Sequence, residues 1–184
     1  MHEYQRKGNV VFFVIVFLLM ILSVAYAATS LVNVNDIADP ALNQVQMYIQ
    51  IGLALNVIAL FLSIITISLA GRANQMVSPL DAVRSLRAEV GLLTIAFLLF
   101  LAGSVLLLIA AGQVNQVVFR FVYIFTLSAG IFGIIGAVLM FIQWCYRVWV
   151  VSKYSKTGTV ARTSSLGSPR SKITSSKSPR RHLE

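Results

Sequence analysis

The chain has 184 residues, 58% of them hydrophobic and 11% charged, and a formal net charge of +9; its mean hydropathy is +0.82. Such values exclude an ordinary water-soluble domain and predict an integral membrane protein, in which four apolar runs leave only short loops and a tail outside the bilayer. Cys145 is the single cysteine, so no intramolecular disulfide can form, and there is no Asn-x-Ser/Thr sequon.

Residues 1–9 are polar and carry Arg6 and Lys7, and the apolar run that follows predicts a first span over about 10–31. Ala25-Tyr26-Ala27 behind a basic leader also fits a signal-peptide cleavage site. The reading taken is an uncleaved span. The first connection holds Asp36 and Asp39 and no base. Asp39-Pro40 reads as a helix start, a capping side chain followed by proline where its missing N–H costs nothing. The second span is predicted over 47–70. Gly52, Asn56, Ala59, Ser63, Thr66 and Ala70 recur along it at alternating steps of four and three, which places them on one seam.

Gly71 to Ala88 forms the second connection, with Arg72, Arg84 and Arg87. Ser78-Pro79-Leu80-Asp81 resembles a capping box and starts the third helix. Leu80, Val83, Leu86 and Val90 give this helix an amphipathic prefix whose Asp81, Arg84 and Arg87 face water. The third span is predicted over 91–111, with Ala96, Gly103 and Ala110 at heptad spacing. The connection Gly112–Val118 is short and uncharged, so the third and fourth helices must be antiparallel neighbours. The fourth span, 119–151, carries Thr126, Ala129, Gly133, Gly136, Met140, Gln143 and Arg147 on one seam. Lipid supplies no hydrophobic force between helices, so seams of small residues that let backbones approach mark the inner faces. The matching seams predict that the second and fourth helices are neighbours in a left-handed bundle.

The expected fold is therefore an all-α integral membrane protein: a four-transmembrane-helix left-handed bundle over residues 1–151 and a disordered basic C-terminal tail over 152–184. Four spans put every Lys and Arg except Arg120 on one side together with both termini. The positive-inside rule makes that side cytosolic, or its topological equivalent. Trp144, Tyr146, Arg147, Trp149, Lys153 and Tyr154 form the aromatic and cationic mixture that suits the headgroup layer.

Asn56 and Gln143 are the most polar side chains expected inside the membrane. They suit either a permeation path or interhelical hydrogen bonds worth about 1 kcal/mol each. Packing is the reading taken, with Gly52, Asn56, Ala59, Ser63, Ala129, Gly133, Gly136 and Gln143 as the packing residues. No acid, Lys or His is expected near the bilayer centre to carry a proton or neutralise an ion. His2 and His182 lie at opposite ends of the chain, Cys145 has no local partner and the acids are scattered over loops and ends. No catalytic site, metal site, cofactor or small-molecule substrate is expected. Cys145, at the predicted membrane boundary, is a candidate for palmitoylation or an ordinary small apolar residue.

From Lys153 the chain is rich in Ser, Thr, Gly, Pro, Lys and Arg, too polar to bury a core of its own. Lys153, Lys156, Arg162, Arg170, Lys172, Lys177, Arg180 and Arg181 are the residues expected to meet a partner: anionic lipid, an acidic protein surface or nucleic acid. Ser168-Pro169-Arg170 and Ser178-Pro179-Arg180-Arg181 repeat one unit, and Arg162-Thr163-Ser164 adds a basic-directed serine. Ser164, Ser168 and Ser178 are candidate phosphorylation sites, where a phosphate removes positive charge. The Ser-Pro-basic unit resembles the DNA-binding tails of some chromatin proteins, over a few residues only. A tail that merely solubilises the chain is the plain alternative. The expected function is a structural or scaffolding multi-pass membrane protein whose tail docks to an acidic partner, such as a protein lattice or a capsid over a viral internal membrane. The alternative is a small channel or accessory channel subunit with Asn56, Ser63, Thr66 and Gln143 facing a lumen.

Overall fold

Four long helices follow one another: α1 (His2–Ile37), α2 (Asn43–Ala73), α3 (Pro79–Gln113) and α4 (Arg120–Leu166). The structure is a computed structural model that describes the backbone of residues 2–37, 39–73 and 79–166, with side chains over 12–37, 42–69 and 87–152 and at Asp39, Pro40 and Arg84. Among the described residues four stretches are long and apolar enough to cross a membrane: Phe12–Ile37, Asn43–Leu69, Arg87–Gln113 and Arg120–Ser152. They suggest a multi-pass membrane protein.

The connections are made by the residues whose chemistry predicts them. Pro40–Leu42 forms a short 3-10 turn before α2, in which the Leu42 N–H donates to the Asp39 carbonyl at 2.9 Å. Pro79 is the first residue of α3, as proline's fixed φ and missing donor allow. Asn115 folds the third connection: its Oδ1 accepts from Val117 N–H at 3.0 Å and its carbonyl accepts from Phe119 N–H at 2.9 Å. This side-chain mimic of a turn lets α3 reverse into α4 within a few residues.

Each helix packs on the next and α1 closes the ring on α4. The contacts run antiparallel throughout, pairing Ser23 with Asn56, Thr94 with Trp144 and Ser30 with Thr126. One end of the bundle, the tail end, thus holds the outer parts of α1 and α4 together with the end of α2 and the start of α3. The opposite, far end holds the other two connections.

The expectation that α2 and α4 are neighbours is wrong. They sit diagonally, with the extensive contacts running between consecutive helices and between α1 and α4. Short connections make chain-consecutive helices adjacent. A seam records which face turns inward, and diagonal helices turn inward as neighbours do.

The interior is made largely of small and medium side chains, and the outer surface of large ones. Ala27, Ala59, Ala96, Ala110, Ala129 and Ala137 are buried, whereas Leu18, Phe61, Leu98 and Phe141 are about half exposed. An apolar exterior of this extent has no partner in water and is the arrangement expected where lipid covers it.

Two apolar clusters fill the bundle. One, toward the far end, contains Ala27, Val34, Val45, Ile49, Leu107 and Val122. The other, toward the tail end, contains Val16, Met20, Leu93, Phe100, Ala137 and Met140.

A second difference lies at the C-terminal side. Where the sequence predicts an unfolded tail from Lys153, α4 continues through Leu166. Residues 153–166 contain no proline. A helix already nucleated within the bundle extends by adding one hydrogen bond per residue, without a new nucleation cost.

Candidate functional site

Between the two apolar clusters lies a polar layer to which all four helices contribute. Ser23 of α1, Asn56 of α2 and Ser104 of α3 are all fully buried, and α4 supplies Gly133. Asn56 Nδ2 donates to Ser23 Oγ at 3.2 Å, and Ser23 Oγ donates to the Ala129 carbonyl at 2.8 Å, so one chain of hydrogen bonds joins α2, α1 and α4. Ser104 Oγ is occupied by its own helix, donating to the Phe100 carbonyl at 2.6 Å.

This layer closes only because two positions lack a side chain. A Cβ on Gly103 would lie 2.8 Å from the Gly52 carbonyl oxygen and overlap Asn56 Oδ1; one on Gly133 would lie 2.7 Å from Ser104 Cβ and 3.2 Å from Ser23 Oγ. Asn56 Oδ1 has no hydrogen-bond donor. It rests against the Gly103 backbone, where a weak Cα–H···O contact is the available interaction.

Further polar links stitch the helices on either side. Toward the far end, the Ser30 and Thr126 hydroxyls meet at 2.5 Å between α1 and α4, and Thr126 also donates to the Val122 carbonyl at 2.7 Å. Toward the tail end, Ser63 Oγ donates to the Ala59 carbonyl at 2.9 Å and lies 3.6 Å from Met20 Sδ. Thr66 donates to the Leu62 carbonyl at 2.8 Å. Ser63, Thr66 and Gln143 border a void of about 10 Å³ shared with Phe13, Met20 and Leu93. That is about the room one water needs.

One helical turn beyond this void, toward the tail end, stands a pair of charges. Arg147 Nε lies 3.2 Å from Glu89 Oε1, with the Glu89 side chain 1% and the Arg147 side chain 15% exposed. The Arg147 guanidinium is also 5.6 Å from the centre of the Phe13 ring, so α4 is held to α3 by charge and to α1 by a cation–π contact. Neither Glu89 oxygen accepts a hydrogen bond within the protein. The approach to Oε1 is an ionic contact without hydrogen-bond alignment. Beside it Trp144 Nε1 donates to Thr94 Oγ1 at 2.8 Å, a second tie between α3 and α4.

The residues singled out from sequence are distributed as follows. Gly52, Asn56, Ala59, Ser63, Ala129, Gly133, Gly136 and Gln143 are all buried in the bundle. Cys145 is exposed on α4 with its thiol free. Lys153, Lys156, Arg162 and Ser164 lie on the helical backbone of α4, but their side chains are outside the described residues. Ser168, Arg170, Lys172, Lys177, Ser178, Arg180 and Arg181 are outside them altogether. Among the described residues no group of three or more His, Cys, Asp or Glu is placed to hold a metal ion.

Glu89 corrects the expectation that the acids occupy loops and ends. It is fully buried on α3, two residues before the predicted start of the third span at Gly91. The signal for it was present, since Glu89 falls one heptad before Ala96 on the α3 seam. The inner face of α1 was equally legible: Val16, Met20, Ser23, Ala27, Ser30 and Val34 follow the same alternation of four and three and are all buried. No protein-family model matches this chain, and no curated protein or solved structure matches it.

Proposed function

We propose that this protein is a multi-pass membrane anchor: a closed, left-handed four-helix bundle that holds a basic C-terminal segment at one membrane face, where the segment docks by charge to an acidic partner or surface. The observation that carries this reading is the continuity of α4. It runs as one helix from Arg120 to Leu166, past Val151, where its apolar run gives way to the basic, polar sequence that follows. At 1.5 Å per residue the part beyond Ser152 extends about 20 Å. Lys153, Lys156 and Arg162 therefore project from the bundle on a helix whose root is tied by Arg147 to Glu89 and Phe13. The remaining bases follow on the segment 167–184.

The packing also favours an anchor over a channel. Phe100, Met20, Ile49, Leu107 and Met140 fill the interior, and the void beside Ser63, Thr66 and Gln143 has room for about one water, far short of an aqueous path. The three-four alternation of buried positions on every helix supports left-handed supercoiling. The charge asymmetry supports an orientation with both termini cytosolic. An acidic protein lattice, such as a capsid face over a membrane, is one surface such a segment suits; anionic lipid is another.

Liposomes containing the purified full chain separate the two classes. An anchor passes no more ions than protein-free liposomes. Flux that disappears on Asn56→Leu would replace the anchor with a channel.

A further inference from the structure

At the far end a cleft of about 260 Å³ opens between the last turn of α1 and the first turn of α4, lined by Asn33, Asp36 and Ile37 on one side and by residues 118–122 on the other. We propose that this cleft binds the headgroup of a zwitterionic phospholipid, with the phosphate on Arg120 and the cationic amine on Asp36. The proposal rests on the membrane reading above.

Its position selects a lipid. The candidate spans Phe12–Ile37 and Arg120–Ser152 both end at the cleft. It therefore lies where hydrocarbon gives way to headgroups. Val117, Val118 and Phe121 around it are 91%, 65% and 71% exposed. Apolar side chains this bare at a membrane boundary suit contact with the glycerol and upper acyl region of the same lipid. A soluble zwitterion would leave them in water.

The charges select the headgroup. Asp36 and Arg120 are both exposed and line one cleft, and the ion pair found among the described residues joins other groups, Glu89 and Arg147. Arg120 is the lone base outside the tail side of the chain. A guanidinium matches a phosphate through paired N–H donors, and the first N–H groups of α4, which have no intrahelical acceptor, add positive potential on the same wall. Asp36 opposes a wholly anionic ligand and attracts an ammonium group. A zwitterionic headgroup carries both charges on one short linker. The volume falls below the roughly 300–1,000 Å³ of pockets that enclose drug-sized molecules, so the headgroup enters and the chains remain outside.

Native mass spectrometry of the full chain in detergent, titrated with phosphatidylcholine, phosphatidylglycerol or inorganic phosphate, tests this. The expected result is one phosphatidylcholine retained in preference to phosphatidylglycerol. Arg120→Gln should weaken retention about tenfold, the loss of one charge-assisted contact. Asp36→Asn should reverse the preference toward phosphatidylglycerol. Both residues are exposed, so unfolding temperature in detergent should not change. Phosphatidylcholine held equally by both variants, equal retention of the two lipids by the unmodified chain, or displacement of lipid by inorganic phosphate would overturn the proposal. So would a dimer that Arg120→Gln dissolves, because the cleft would then be an interface between copies. Alkaline extraction of liposomes carrying the chain reports insertion separately: a chain that is extracted fails the membrane reading, and one that stays in the membrane but lacks lipid preference fails only the cleft.

Discussion

Arg147 and Glu89 meet at 3.2 Å in an ion pair across the α3–α4 contact, and the carboxylate side is sealed from solvent. The pair sits at the tail end of a bundle whose interior is otherwise apolar or uncharged. It fixes the point at which α4 leaves the packed part of the molecule and continues toward the basic segment.

Removing one partner of this pair should be costly and removing both much less so. Arg147→Leu leaves a buried carboxylate uncompensated, with an expected loss of about 3–5 kcal/mol. Glu89→Leu strands the cation, although the greater exposure of Arg147 makes that variant the milder one. The double variant Glu89→Leu/Arg147→Leu should recover most of the loss. Thermal unfolding of the four proteins in one detergent gives the cycle, and strictly additive losses would mean the pair is not coupled.

The polar layer depends on the absence of a side chain at Gly133. Gly133→Leu drives new atoms into Ser104 and Ser23 and should destabilise the bundle by about 1–3 kcal/mol. Ile131, two residues away and 46% exposed, provides the control. Ile131→Ala should leave the unfolding temperature nearly unchanged. The opposite ranking would put the wrong face of α4 inward.

Much of this arrangement was written in the periodicity. Arg147 lay on the α4 seam, and extending the α3 seam of Ala96, Gly103 and Ala110 back by seven residues reaches Glu89. What hid Glu89 is that a hydropathy boundary is drawn where charge begins, at Gly91, while the compensating charge comes from another helix and leaves no mark nearby in sequence. The pairing of helices was illegible for a related reason. Periodicity identifies the inward face of α2 and of α4, but connection length decides that they sit diagonally. The helical course of 153–166 was missed because composition describes whether a segment folds alone, and this one extends a helix that already exists.

Topology can be tested by labelling. Gln116 is exposed in the α3–α4 connection and Ser152 is exposed just past the apolar run of α4. Single cysteines at these positions, in a Cys145→Ser background, should react with an impermeant maleimide from opposite faces of sealed vesicles. Reaction of both from one face would remove α4 from the membrane.

The central claim is that the bundle serves to present its basic C-terminal segment, and vesicle tethering measures this most directly. Neutral liposomes carrying the full chain are mixed with fluorescent vesicles rich in phosphatidylserine, and capture is compared with that by a chain ending at Ser152. Each base close to an anionic surface contributes about 1 kcal/mol, screened over roughly 10 Å at 0.1 M salt. The full chain should capture the vesicles at low salt and release them steeply as salt rises, whereas the shortened chain should capture almost none. Equal capture by the two chains, or capture by the full chain that salt does not weaken, would contradict the account.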